Sequence, residues 1–159
     1  RNYFNHNTAN GLAKIKDHKN TFWHRMGDVG YIDDKSRLWF CGRKSQRVRT
    51  ANGTLFTIQC EGVFNAHPKV KRSALVGVGK VDNQKPVIVI EPELPSNLKN
   101  DSEQKALIKD LLEFRSNYNH TLKIKNILIH VAEFPVDIRH NSKIFREKLA
   151  QWATKKICP

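Results

Sequence analysis

The stretch Arg47-Val48-Arg49-Thr50-Ala51-Asn52-Gly53-Thr54-Leu55-Phe56-Thr57-Ile58 decides how the rest of the chain is read. Two short β-rich runs, Arg47–Thr50 and Leu55–Ile58, flank Ala51-Asn52-Gly53, and Asn-Gly readily supplies the positive φ values of a tight hairpin turn. Charges at Arg47 and Arg49 alternate as they do on the solvent face of a strand. Downstream, Gln59 to Asn65 reads as a short helix that ends before His67-Pro68, because proline disfavours the helical region in its predecessor. Val70–Val78 and Pro86–Ile90 are β-rich runs separated by the turn-like Val81-Asp82-Asn83-Gln84. Asp101 opens a helix with Gln104 at capping distance. Leu107, Leu111 and Phe114 then recur at helical spacing, with Ile108 and Leu112 beside them. Ile127–Val131 alternates as a strand, and Asn141 is the N-cap of a last helix carrying Phe145, Leu149 and Trp152 on one face. The order hairpin–helix–strand–strand–helix–strand–helix predicts an α+β domain, with helices packed on a small sheet.

Upstream of the hairpin, Asp33-Asp34-Lys35-Ser36 is a turn before the strand-like Arg37–Cys41, and a tight Gly27-Asp28 turn lies between Trp23 and Tyr31. The first twenty residues, five of them Asn, lack a core pattern and read as an irregular arm.

The chain's 159 residues suit one ordinary domain, or a small one with arms, and 39% apolar with 27% charged residues excludes a disordered or collagenous chain. Apolar runs such as Val87–Ile90 are far short of a bilayer span, so no transmembrane segment is expected. Nothing at the start resembles a secretory leader, and a cytoplasmic location follows as the expectation. Cys41, Cys60 and Cys158 are widely spaced, with no CxxC or HExxH pattern, which predicts free thiols and no metal site. Lys and Arg number 28 against 15 Asp and Glu, a net charge of +13, which favours polyanions or phosphate-bearing ligands. The bases are spread over the whole chain without an aromatic nucleic-acid platform, so nucleic acid is not the expected partner. A basic nucleic-acid-binding module is the alternative of another class.

Two places break local rules. In Phe134-Pro-Val-Asp-Ile-Arg-His-Asn-Ser-Lys143, a helix starting at Asn141 gathers Arg139, His140 and Lys143 at its positive end. Cations there are unfavourable by about 0.3–1 kcal/mol each, whereas free amides plus bases make an anion site; a solvated lysine is the other reading. In Met26-Gly27-Asp28-Val29-Gly30, Asp28 presents a carboxylate at a sharp turn. It suits either the vicinal hydroxyls of a ribose or its own turn backbone.

Gly27-Asp28-Val29-Gly30-Tyr31, then Leu38-Trp-Phe-Cys-Gly-Arg-Lys44, then His67-Pro-Lys-Val70 and finally Lys143 after a proline-led loop together resemble the adenylate-forming superfamily. That family holds acyl-CoA synthetases, firefly luciferase and nonribosomal-peptide adenylation domains. The wording of Trp23–Asp28, Phe40–Lys44 and Phe134–Lys143 is most similar to the branch of olefin-pathway β-lactone synthetases and fatty-acid–CoA ligases. The resemblance implies the small C-terminal lid of that fold, a β-hairpin plus a small, mainly antiparallel sheet with packed helices. Residues 1–43 would be the tail end of a large N-terminal adenylation domain and 44–159 the lid.

The implied reaction activates a long-chain β-hydroxy fatty acid with ATP and closes it to a β-lactone with release of AMP; a fatty-acid–CoA ligase is the alternative. Such a protein is an AMP-forming ligase at full length, and this portion alone would be inactive. Asp28 and Arg43 are implied as nucleotide-binding, Ser45 as the hinge, and Lys143 as catalytic, with Arg139 and His140 as anion contacts. Mg2+ would accompany ATP, held mainly by the N-terminal domain, whose phosphate-binding Ser/Thr/Gly loop this chain lacks. Implied partners are the fatty acid, the protein's own N-terminal domain and other enzymes of its pathway. The chain departs from the family at Met26 for Thr or Ser, Gln59 for Glu (Glu61 keeps the second acidic position) and Ser142 for Gly. It also has a longer Pro135–Lys143 loop, and no Lys-x-x-Gly follows Arg49. The last departure argues against coenzyme A and for lactone closure.

Overall fold

The computed structural model describes residues 7–19, 21–98, 100–140 and 143–158. The chain divides into two compact units, Arg1–Ser45 and Gln46–Pro159. The class is α+β, as the element order predicts.

In the first unit, α1 (Asn7–Ala13) leads into β1 (Lys14–Lys16), which pairs antiparallel with β2 (Phe22–His24) through Lys14↔His24 and Lys16↔Phe22. The described part of the expected irregular arm therefore holds a helix and a paired strand. Its pairing is stitched by Asp17 N–H to Thr21 O at 2.9 Å and by the Lys14 ammonium over the Phe22 ring. A second ribbon joins β3 (Asp28–Ile32) to β4 (Leu38–Arg43). Its turn is organised by Asp33, which accepts from the backbone amides of Lys35 and Arg37, the Arg37 guanidinium and the Trp39 indole. Those bonds, led by the one from Trp39, hold the Asp33 carboxyl below its ordinary value. Phe22, Trp23, Tyr31, Ile32, Leu38, Trp39 and Phe40 are all exposed.

The second unit begins with the hairpin of β5 (Val48–Thr50) and β6 (Gly53–Leu55), with Thr50 opposite Gly53. The positive φ, +118°, falls on Gly53 and not on Asn52. The second strand also stops at Leu55, because Thr57 and Ile58 belong to α2 (Thr57–Asn65). Thr57, Cys60, Glu61 and Phe64 are buried while Ile58 is exposed, a helical period that wins over the local β propensity of the run.

A three-stranded sheet in the order β7-β8-β9 forms the centre, from β7 (Val70–Val78), β8 (Lys85–Pro92) and β9 (Asn126–Ile129). The first pair is antiparallel; β8 and β9 run parallel, which requires the crossover through α3 (Asp101–Phe114). Leu75, Ile88, Ile90, Ile127 and Ile129 pack with Phe64 of α2 and with Leu107 and Leu111 of α3. Their neighbours Ala74, Val76, Val87 and Val89 pack on the other face with Phe134 and with Leu149 and Ala153 of α4 (Arg146–Ile157). Period-2 alternation thus divides one strand between two cores, and β8 reads as an unbroken apolar run because both faces are covered.

Two helix starts differ from expectation. The α3 cap is Asn100 with Glu103, each side chain bonding the other's amide, one residue before the expected Asp101–Gln104 pair. The last helix begins at Arg146 after Phe145; Asn141, its expected cap, lies outside the described residues. Lys143–Ile144 is instead a short strand, β11, paired with β10 (Val136–Asp137).

Truncating Leu111, fully buried between α3 and the sheet, should lower unfolding free energy by about 2–5 kcal/mol as Leu111→Ala. Asn100→Ala should cost about 0.5–2 kcal/mol through the lost cap. Urea titration of the chain checks both.

Candidate functional site

In the first unit, antiparallel pairing sets Asp28 and Arg43 directly opposite each other. Arg43 Nη1 reaches Asp28 Oδ1 at 3.0 Å and donates to Met26 O at 2.8 Å, and the Lys44 amide donates to Gly27 O. Gly27 has φ +77°, with no atom within 4 Å of where a Cβ would stand. That turn needs glycine for its backbone conformation and leaves open space beside the carboxylate. Asp28 and Arg43 are both partly exposed, at 37% and 51% of their side chains, so the pair can exchange its contacts for those of a polar ligand. Ser45 lies in the 3₁₀ turn Lys44–Gln46, at the end of the first unit.

In the second unit, Lys143 sits on the two-stranded ribbon, exposed, opposite Asp137. The expectation that it occupies the first turn of a helix is corrected. The ribbon's alternation accounts for its direction: Val136 and Ile144, opposite each other, pack against the core under α4, which turns the Asp137–Lys143 pair to the other face. Arg139 lies in the 3₁₀ turn Ile138–His140, exposed, its amide donating to Asp137 Oδ1 at 3.0 Å. His140 ends that turn, its side chain outside the description, and Ser142 lies outside the described residues. Lys143 on the ribbon and Arg139 in its connecting turn therefore stand on one local element, and not in the helix start that the sequence predicted for them.

Two buried carboxylates root that ribbon, and the chemistry-led reading of the sequence missed one of them. At its start, the Phe134 amide donates to Glu91 Oε2 at 2.8 Å. Glu91 is 2% exposed and takes Arg72 in two bonds of 3.1 and 3.0 Å, with Lys71 Nζ at 3.1 Å. Burial pushes its carboxyl up, but the bonds from Arg72, Phe134 and Lys71 outweigh burial and hold it below the ordinary 4.5. At the ribbon's end, Arg146 grips Glu61 with its two terminal guanidinium nitrogens, the longer contact 2.9 Å, while the Leu75 amide donates to the same carboxylate at 2.7 Å. Here burial prevails over Arg146, and the Glu61 carboxyl is raised. An acidic residue closing the apolar run Val87–Ile90 and an arginine three residues after Lys143 were the available signals.

Two cavities of about 350 and 370 Å³ lie elsewhere, beside Pro92–Leu98 and between α3, β9 and α4. Neither is lined by a candidate residue; the site is an exposed ribbon face.

No protein-family model matches the chain. It is 46% identical over 158 residues to the olefin β-lactone synthetase of Xanthomonas campestris, and 47% over 159 residues to that of Stenotrophomonas maltophilia. Those matches cover 97% and 98% of the chain. The chain belongs to the adenylate-forming superfamily. It spans about 28% of the length of those relatives and corresponds to their C-terminal portion. Among solved structures, ATP-bound MatB from Rhodopseudomonas palustris shares the fold with a TM-score of 0.70 and 17% identity, over 98% of this chain and 28% of that one.

Removing Arg146 leaves Glu61 buried without its cation. Arg146→Met should therefore destabilise the chain by about 3–5 kcal/mol, measurable by urea unfolding near neutral pH. The two carboxylates also predict opposite pH slopes. Glu91, depressed in the fold, contributes stability above its unfolded value that is lost as pH falls through its folded value; Glu61, raised, lowers stability as pH rises through its own. Glu91→Gln should flatten the acid limb below about pH 5, and a limb as steep as that of the unaltered chain would contradict the assignment.

Proposed function

We propose that the whole protein activates a long-chain β-hydroxy fatty acid with ATP and closes the acyl-adenylate to a β-lactone. One acid oxygen attacks the α-phosphorus, and the bond to pyrophosphate breaks. The acid's own β-hydroxyl then attacks the acyl carbon, the acyl–AMP bond breaks, and AMP leaves as the hydroxyl gives up its proton. The observation carrying this reading is the identity of nearly half over almost the whole chain to two olefin β-lactone synthetases.

In this reading Lys143 carries a compact ammonium to the carboxylate and α-phosphate oxygens, where charge builds in the first step. Its exposure on a rooted ribbon supports that role. Arg139 and His140 are further contacts for the anion. Asp28 takes the ribose hydroxyls and Arg43 the ribose-phosphate region, an assignment supported by their pairing beside the open Gly27 turn. Among the described residues no three His, Cys, Asp or Glu side chains gather as a metal set, and Asp28 is engaged by Arg43. We assign the Mg2+ that accompanies ATP mainly to the large N-terminal domain.

Residues 1–43 are assigned to the tail of that domain and 44–159 to the lid. The division into units near Ser45 and the exposed aromatics of β2 to β4 support the assignment, the aromatics awaiting cover from the rest of the domain. The domain itself and the pathway's other enzymes are the proposed partners. None of the described helices is long and apolar enough to cross a membrane, and a cytoplasmic protein is proposed.

Lys143→Ala in the full-length protein should slow ATP–pyrophosphate exchange by about 10²–10³ while leaving stability within about 0.5 kcal/mol, as for an exposed residue. An active variant would remove Lys143 from the mechanism. Product analysis with ATP and a β-hydroxy acid, with and without coenzyme A, should give lactone without the thiol. Strict dependence on coenzyme A would make the protein an acyl-CoA ligase.

A further inference from the structure

Phe134, two residues before the Lys143 ribbon begins, is fixed by a group forty-three positions earlier in the chain. Glu91 is the last residue but one of β8, and every residue before it from Val87 is buried. Its Oε2 accepts the Phe134 amide at 2.8 Å. The Phe134 side chain enters the core beneath α4, and the Arg72 guanidinium that neutralises Glu91 also lies 5.8 Å from that ring's centroid. The next carbonyl, of Pro135, accepts the Phe145 amide at 2.8 Å. From there Val136 pairs with Ile144 and Asp137 with Lys143. The chain of contacts is continuous: Arg72 and Lys71 hold Glu91, Glu91 holds Phe134, and Phe134 and Pro135 set where the ribbon leaves the sheet.

We propose that Glu91 is a positioning residue for Lys143, setting the root of its ribbon through the Phe134 amide. Apolar packing of Phe134 fixes the side chain but not the direction of its amide. A carboxylate acceptor on the central strand fixes that direction too, and charge-assisted bonds from Arg72 keep the acceptor in place. The proposal rests on Lys143 acting in adenylate formation, and the experiment separates the two ideas.

Glu91→Leu removes the acceptor; Glu91→Gln keeps one oxygen for the amide. In the full-length protein, Glu91→Leu should lower kcat for ATP–pyrophosphate exchange by about ten- to a hundredfold, as expected for a misplaced reacting group. KM for ATP and acid should move less, and Glu91→Gln should recover much of the rate. In a Lys143→Ala background the same change should add little, since residues acting through one another are not additive. In the 159-residue chain, hydrogen exchange at the Phe134 and Phe145 amides should quicken with Leu and less with Gln. Equal fold losses with and without Lys143, or unchanged exchange at both amides, would overturn the proposal. If Glu91→Leu does not fold, Glu91→Gln is judged by the same background comparison, at smaller amplitude. If Lys143→Ala is itself as active as the unaltered protein, the reading of the reaction fails, while amide exchange still decides whether Glu91 holds the ribbon.

Discussion

Burying a carboxylate costs several kcal/mol unless its charge is met by well-placed partners, and Glu91 sits, 2% exposed, on the central strand of the sheet. Three donors meet it: Arg72 from the neighbouring strand, Lys71 beside it, and the Phe134 amide from the segment after β9. The charge could have been avoided by an apolar residue, as at Ile90 next to it. Its presence obliges β7 to supply cations and the later segment to bring an amide, so three parts of the chain are drawn to one point. The ribbon with Lys143 departs from that point.

Glu61 imposes a matching constraint from the other side. Its helix packs on the sheet face opposite α4, yet its carboxylate accepts from Leu75 on β7 and from Arg146 at the first residue of α4. A helix start with no side-chain cap is held by an ion pair to a different layer. Burial raises Glu61 while the denser donor set lowers Glu91. Burial bears harder on Glu61, and the donors differ as well: Glu91 has two cations and an amide, whereas Glu61 has one arginine and an amide.

Most of the fold was legible in the sequence because it follows short-range rules. The hairpin at Ala51-Asn52-Gly53, the end of α2 before His67-Pro68, the two long strands and the apolar stripe of α3 stand in the structure. The errors share a cause. Asn100 and Asp101 are equally good caps, so a local rule does not choose between them. Lys143 and Ile144 carry no periodic signal in a two-residue strand, whereas Asn141 is a strong cap residue, and the local signal was followed over a pairing that depends on Val136 and Ile144 reaching the core. The arm before Phe22 failed likewise, since a three-residue pairing across a turn has no pattern longer than itself. At the site, Asp28, Arg43 and Lys143 were legible through family wording. Glu91 was not, because an acid at the end of an apolar run looks like the strand's exit until the cations that bury it are seen.

Moving Lys143 from a helix start to a strand changes the physics of its charge. At a helix N-terminus the ammonium would face the positive end of the dipole, and the repulsion would favour any motion that carried it away. On the ribbon the lysine precedes the first turn of α4, where that effect falls off. The opposite residue is Asp137, whose carboxylate already accepts the Arg139 amide. That carboxylate is only 18% exposed and also faces the Arg139 guanidinium at 3.9 Å, so it serves its own turn. Direction then comes from the backbone: Ile144 points into the core, and Lys143, one residue earlier, must point out. A side chain four methylenes long is flexible, so control over where its charge arrives depends on how firmly the ribbon is rooted. The investment of two buried carboxylates and two arginines at the ribbon's ends is intelligible on that ground, as the means by which a mobile side chain is delivered from a fixed base.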